Sequence, residues 1–301
     1  MSFRNSSKRR QAKRVARLRK QGRALNDFAE VSPEVAVKML MRTFIYPQRA
    51  LAKGEVRDVL AKAEQLTIPR GRRRLRAYRW AGEPDCPTVA LLHDWEQESG
   101  YWHDYIRGLR DKCCTVIALD APASGHSDGK RLSLRDYINA IHALRSRVGH
   151  IDCMVGHGMG GAALVQALAQ MPALQRPQRA VLMGVNADSK EIFQRRLEGF
   201  GIDEQVRLKF WKRLGRTRDI PLSNYDNVLA ATRLADVQGL VVHDRADARY
   251  PMADAEAIAE AWPGAKLMDF EGFGHELQGL PVLTRLLPFV GAKAMLAARA
   301  A

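Results

Sequence analysis

The stretch from Met154 to Gly161, Met-Val-Gly-His-Gly-Met-Gly-Gly, follows the apolar run Ile151 to Val155 and limits the possible folds more than any other part of the chain. Small residues at Gly156, Gly158 and Gly160 have the spacing of a G-x-S-x-G corner, in which a strand turns sharply into a helix. Glycine stands where the serine belongs. It can adopt the strained backbone of such a corner because it has no Cβ, but it carries no oxygen to attack a substrate.

The flanking pattern predicts an α/β fold. Leu75–Trp80, Thr88–His93, Cys114–Leu119, Ile151–Val155, Ala180–Val185, Leu240–His243 and Ala265–Phe270 read as strands. Those after the first are apolar with little alternation, as in a parallel sheet covered on both faces. Helices fall between them. Ser133-Leu134-Arg135-Asp136 resembles a capping box, and Leu134, Ile138, Ile141, Leu144 and Val148 give the following helix an apolar face. Further helices are expected over Gly160–Met171, from about Asp254 to Trp262, and up to Phe289. Asp188 to Ala235 breaks the rhythm with helical segments alone, as a cap over the strand ends would. The chain thus divides into a basic, flexible leader (1–30), a helical extension (31–70), a sheet domain (71–291) with its cap at about 188–235, and a tail (292–301). In the extension, one helix is expected over Val31–Tyr46, with Val35, Met39, Leu40 and Phe44 near one face.

With 301 residues and 46% apolar content, the chain can bury a large core. The net charge of +15 is unevenly spread: Met1 to Leu25 holds ten Lys or Arg and no acid. The plain reading is a solvated tail; the sharper one is contact with an anionic surface or nucleic acid. A second arginine run, Arg70 to Arg79, suits a strand edge guarded by charge. Cys86, Cys113, Cys114 and Cys153 lack metal-ligand spacing, and the last three lie in apolar runs where a thiol acts as a small hydrophobe. Free thiols point to a reducing, cytoplasmic setting. No apolar run is long enough to span a membrane, and no secretory signal opens the sequence.

Three loops at strand ends carry the polar groups that matter. They are the corner at Gly158, the run His243-Asp244-Arg245-Ala246-Asp247, and Gly272-Phe273-Gly274-His275. Corner, acid and histidine come in the chain order of a nucleophile–acid–base triad, in which histidine takes the nucleophile's proton and the acid fixes its tautomer. Together with Leu91-Leu92-His93, Asp120-Ala121-Pro122 and Gly125-His126-Ser127, these pieces make the segment from Leu75 to Phe289 resemble an α/β-hydrolase-fold protein of the esterase, lipase and haloperoxidase-like group. The resemblance implies Asp247 as acid, His275 as base, position 158 as the nucleophile site, backbone amides of Trp95 and Met159 as oxyanion donors, and a small ester or acyl-type ligand, with no metal or other cofactor.

Two departures run in the same direction. Gly158 replaces serine, and Asp94 with Glu96 replaces the glycine-rich sequence expected after His93. A carboxylate about 4 Å from a developing oxyanion costs roughly 4 kcal/mol at an effective dielectric of 20, as much as one oxyanion donor contributes, about 3 to 4 kcal/mol. The effect turns on whether either acid points inward. His93 and His157 are expected to hold loops by hydrogen bonds, Ser124, His126 and Ser127 to be structural, and Cys153 to face the core. The leading reading is a non-catalytic or altered hydrolase that binds a small apolar or acyl ligand. One alternative keeps an enzyme, with Asp247 and His275 acting on water or with a native serine exchanged for glycine. Another makes the protein a nucleic-acid or membrane-surface adaptor through its basic leader.

Overall fold

The computed structural model describes residues 2–216 and 225–292, with side chains from Val15 onward. Strands β1 (Glu64–Arg70), β2 (Arg73–Trp80), β3 (Thr88–Leu92), β4 (Thr115–Leu119), β5 (Cys153–His157), β6 (Arg179–Met183), β7 (Gln238–Asp244) and β8 (Lys266–Phe270) form one sheet in the order β1-β2-β4-β3-β5-β6-β7-β8. From β4 to β8 all pairings are parallel, while β1 and β2 add antiparallel at one edge. Strands β5 and β6 are buried at every position, which explains why their sequences do not alternate.

Helices cover both faces. On one side α5 (Leu134–Val148), α6 (Met159–Gln170), α9 (Asn227–Ala231) and α10 (Met252–Ala261) pack through Tyr137, Ile141, Leu164, Ala231 and Ile258. On the other lie α3 (Gly54–Ala61), α4 (His103–Arg110) and α11 (Leu280–Val290), through Leu60, Ile106 and Leu286. The capping box at Ser133 forms as expected: Ser133 Oγ accepts from the Asp136 amide at 3.1 Å, and Asp136 accepts from the Ser133 amide.

A third apolar cluster sits apart and forms the cap. It joins α1 (Ser2–Val31) and α2 (Pro33–Ile45) to α7 (Ser189–Phe200) and α8 (Glu204–Gly215), with Leu25, Leu40, Phe44, Phe200 and Phe210 at its centre. The leader expected to be flexible is therefore helical in the structure, and its C-terminal half is packed. Gly22 lets α1 lie against the backbone of α7, since any Cβ there would collide with the Phe200 carbonyl. Asn26 donates to Gly201 O at 2.9 Å and fixes the same junction. The cap is built from two N-terminal helices and from α7 and α8; the expected cap at 188–235 is narrower, since α9 packs on the sheet side and residues 217–224 lie outside the described residues.

Other expectations need correction. The 31–70 extension is not wholly helical, because Glu64–Arg70 is the edge strand of the sheet. In α2 the buried face is Ala36, Val37, Leu40, Met41 and Phe44, whereas Val35 and Met39 are exposed. Cys113 is not a free strand thiol; it precedes β4 and forms a disulfide with Cys86. That bond removes the premise of four free thiols on which the cytoplasmic expectation stood. Cys153 does face the core, and burial pushes its thiol up to about 12. The arginine run lies on the β1–β2 hairpin, where Arg70 pairs with Asp136 and Arg79 with Glu64. The tail expected at 292–301 lies, after residue 292, outside the described residues. No described helix is long and apolar enough to cross a membrane.

Candidate active site

The parallel strands deliver their C-terminal loops to one edge of the sheet, beneath the cap. At the end of β5, Gly158 has φ 52° and ψ −118° and opens α6, so the strand turns into the helix within one residue. Its amide donates to Met183 O at 2.9 Å, which ties the corner to β6. The left-handed φ is one that side-chain-bearing residues adopt only at a cost of about 1–3 kcal/mol.

At the end of β3, His93 is held as a neutral tautomer. Its Nε2 accepts from the Ala121 amide at 3.0 Å, and its Nδ1 donates to Asp94 O at 2.7 Å. His93 thus fixes the loop, as expected from the sequence, and aims the next residue. Asp94 points inward: 3% of its surface is exposed. Its Oδ1 accepts from the Met159 amide at 2.7 Å, and its Oδ2 accepts from Arg249 at 2.7 Å and from His275 Nε2 at 3.3 Å. Glu96 turns the other way and accepts from the Gln48 amide at 3.1 Å. The question left open by the sequence has a split answer, one acid in and one out.

Asp247 follows β7 and accepts from the Arg249 amide at 2.7 Å through Oδ1, while its Oδ2 accepts from His275 Nδ1 at 2.8 Å. His275 follows β8, and its own carbonyl accepts from His157 Nε2 at 2.8 Å. His157 stacks on Tyr101 with ring centroids 4.8 Å apart, so it props the histidine loop from behind. Gly158, Asp247 and His275 are thereby brought to one place, with Met159 beside them and Trp95 on the wall above. Ser127 is committed elsewhere, donating to Asp120 O at 2.6 Å and accepting from the Arg76 amide, and His126 engages the Tyr78 hydroxyl.

Electrostatics set the protonation states. Burial works to raise the Asp94 carboxyl, but its bond to His275 and the charge of Arg249 outweigh this and hold it well below the usual range. Burial and Arg249 work to lower His275, yet hydrogen bonds to Asp247 and Asp94 prevail and raise it. Each ring nitrogen of His275 faces a carboxylate oxygen, Asp247 at 2.8 Å and Asp94 at 3.3 Å, an arrangement that favours the imidazolium form. In that state it has no lone pair with which to accept a proton. His157, buried and beside that charge, is pushed down to about 4 and stays neutral.

Asp94 and Arg249 are the residues that sequence reading underweighted. Arg249 bridges Asp94 and Glu276, the second at 3.0 Å. The acidic substitution at 94 was visible, but its partner stands 155 residues away, and nothing in local spacing connects them.

Above these groups lies a cavity of about 300 Å³, walled by Leu18 of α1, Phe44 of α2, Phe193 of α7, and Trp95, Met159 and Tyr250 from the sheet domain. Arg196 lies over the rings of Phe44 and Trp95, 5.0 and 5.9 Å from their centroids, and donates to Thr43 O. Trp95 and Ser189 also line the cavity, while Trp95 Nε1 and Ser189 Oγ are themselves buried without a partner and have no surface open to it. Among the described residues, no group of three or more His, Cys, Asp or Glu is arranged to hold a metal ion.

The family model described as "Alpha/beta hydrolase family" matches residues 89–285, which contain all of these loops. The chain belongs to the alpha/beta hydrolase family. Similar solved hydrolases agree on the fold. An esterase of Pyrococcus furiosus superposes with a TM-score of 0.62 at 15% identity, covering 81% of this chain and 95% of its own. A meta-cleavage product hydrolase of Pseudomonas fluorescens gives 0.55 at 17% identity, covering 75% of this chain and 95% of its own. Among curated proteins, uncharacterized proteins of Mycobacterium bovis and Mycobacterium tuberculosis are each 32% identical over 143 residues, 46% of this chain. The match spans only 39% of those relatives' length.

Proposed function

We propose that this alpha/beta hydrolase-fold protein binds a small apolar or acyl-type ligand without hydrolysing it by the serine mechanism, its triad being degenerate at Gly158. One observation carries the reading. The Asp94 carboxylate lies in the space that a nucleophile side chain at 158 would need and accepts the Met159 amide that an oxyanion would use. In comparable triads, loss of the nucleophile lowers turnover by about six orders of magnitude, and an occupied oxyanion donor removes a further contribution.

The cavity supports binding, because its walls are mainly apolar, as suits an acyl group or another small apolar body. The competing reading, in which His275 activates water, is favoured by the 2.8 Å bond to Asp247. It is opposed by the second carboxylate at Nε2, which favours the protonated ring and occupies the nitrogen that would take the proton.

The test is hydrolysis of short and medium p-nitrophenyl esters by the native chain and by Asp94→Ala/Gly158→Ser, each with a His275→Ala control. Silence of the native chain, with His275-dependent turnover in the double variant, is the expected result. His275-dependent turnover by the native chain would overturn the non-catalytic reading in favour of water activation.

A further inference from the structure

The helix that walls the ligand cavity is also the most basic element of the chain. From Val15 to Val31, α1 packs through Leu18, Gly22, Leu25 and Ala29 onto the cap, and Val15 and Leu18 reach the cavity. Its other side is exposed and carries Arg17, Arg19, Lys20 and Arg23, none of which pairs with a described acid. More cations precede them on the same helix in the sequence, and no acid occurs before Asp27. A solvated helix gains nothing from such a one-sided charge, because the repulsion among like charges a turn apart is destabilising.

Apolar side chains stand exposed just beyond this cluster. Phe28 and Val31 at the end of α1, and Val35 and Met39 on α2, present a run of large hydrophobic groups to solvent, with Val31 86% exposed. Asp27, Glu30 and Glu34 lie among them, so the cations available for association stand before this apolar run, up to Arg23. Cations next to exposed aromatic and aliphatic side chains suit the headgroup and acyl boundary of an anionic bilayer. A nucleic-acid backbone offers the charge but no place for Phe28 and Val31.

We propose that α1 docks the protein on an anionic lipid surface and that the cavity behind it receives its apolar ligand from that surface. The inference rests on the ligand-binding reading of the cavity. Because one helix supplies both the docking charges and the Leu18 wall, seating it on lipid brings the cavity to the place where an acyl molecule partitions.

The experiment is co-sedimentation of the full chain with vesicles of phosphatidylcholine alone and of phosphatidylcholine with phosphatidylglycerol, at low and high salt. A pyrene-labelled fatty acid serves as the cavity probe. Binding is expected only to the anionic vesicles. It should weaken with salt and fall on the order of a hundredfold or more in Arg17→Gln/Arg19→Gln/Lys20→Gln/Arg23→Gln. Phe28→Ser/Val31→Ser, whose side chains are already exposed, is expected to weaken it at unchanged circular dichroism. Probe transfer should be faster from anionic than from neutral vesicles. Equal affinity for both vesicle types, no affinity for either, or salt-sensitive binding to duplex DNA in place of vesicles would overturn the proposal. Failure of the probe to bind in the absence of vesicles, with vesicle docking intact, would sink the ligand-binding reading instead.

Discussion

Asp94 and Gly158 share one volume. An ideal Cβ built on Gly158 would overlap the Asp94 carboxyl carbon and Oδ1 and come within 2.8 Å of Oδ2, so either position can carry a group into the site, but not both. Gly158→Ser alone is therefore expected to lose stability by about 1–3 kcal/mol for the left-handed backbone, with the clash added, and to gain no esterase activity. In Asp94→Ala/Gly158→Ser the clash is removed and the Met159 amide is freed. Thermal melts together with p-nitrophenyl ester assays on the two single variants and the double variant check the coupling; additive effects would show that the two sites are independent.

Removing the Asp94 charge tests the cluster itself. Asp94→Asn keeps the shape but leaves Arg249 and His275 without their shared anion. Breaking one side of a buried pair costs about 3–5 kcal/mol, and Arg249, which retains Glu276 and is partly exposed, places the expectation at the low end of that range. Urea denaturation measures the loss. Stability unchanged within error would mean that Asp94 is neutral or unpaired in solution.

Two histidines with ring centroids 4.9 Å apart are expected to differ in charge at neutral pH. His275 is raised by its two carboxylates, while His157 is pushed down to about 4 by burial and by His275. A folded-state value raised above the unfolded one, about 6.5, gives a stabilising contribution that is complete below about pH 6.5. It is lost as pH rises through the folded value. Asp94, shifted down, contributes fully above about pH 4 and loses its share as pH falls through its lower folded value. Nitrogen-15 chemical shifts of the imidazoles at pH 7 distinguish an imidazolium at 275 from a neutral ring at 157. Two neutral rings would restore His275 as an available base.

The sheet and the triad loops were legible because each rests on a local signal. Buried parallel strands lose alternation, small residues mark the corner at 158, and acid and histidine follow their strands within a few residues. The cap was half legible: the 188–235 insertion interrupts the strand rhythm, but the packing of α1 onto it is carried by Gly22 and Leu25, hidden inside a run dominated by arginine. Phe44 lies on the buried face of α2 and Val35 does not, since α2 packs against α1 and α8. The Asp94–Arg249 pair could not be read from either residue alone. It requires knowing that the loops after β3 and β7 meet.

The disulfide gives a separate check, because it contradicts the free thiol expected at Cys113. Cys86 and Cys113 are 27 residues apart, and closing a loop of that size restrains the unfolded chain by about 3–4 kcal/mol in the chain-entropy account. Cys86→Ser/Cys113→Ser is expected to lower the unfolding free energy by roughly that amount. Thiol titration of the native protein should detect no reactive group, since Cys114 and Cys153 are both buried, and two groups after denaturation without reductant. Four groups under those conditions would show that the bond does not form.

Blocking the cavity separates ligand binding from the charge cluster beneath it. Ala162 is buried at the start of α6 and lines the cavity beside Met159, while the Asp94, Asp247 and His275 contacts do not pass through its side chain. Ala162→Leu adds three carbons toward a space of about 300 Å³ that has room for them. Overpacking, at about 1–3 kcal/mol, is thereby offset by newly buried apolar surface, and the net change in stability should be small. Affinity for a labelled fatty acid should fall at least about tenfold, as 1.4 kcal/mol of lost contact requires, while the imidazole signals of His275 and His157 stay in place. Retained affinity would put the ligand outside this cavity.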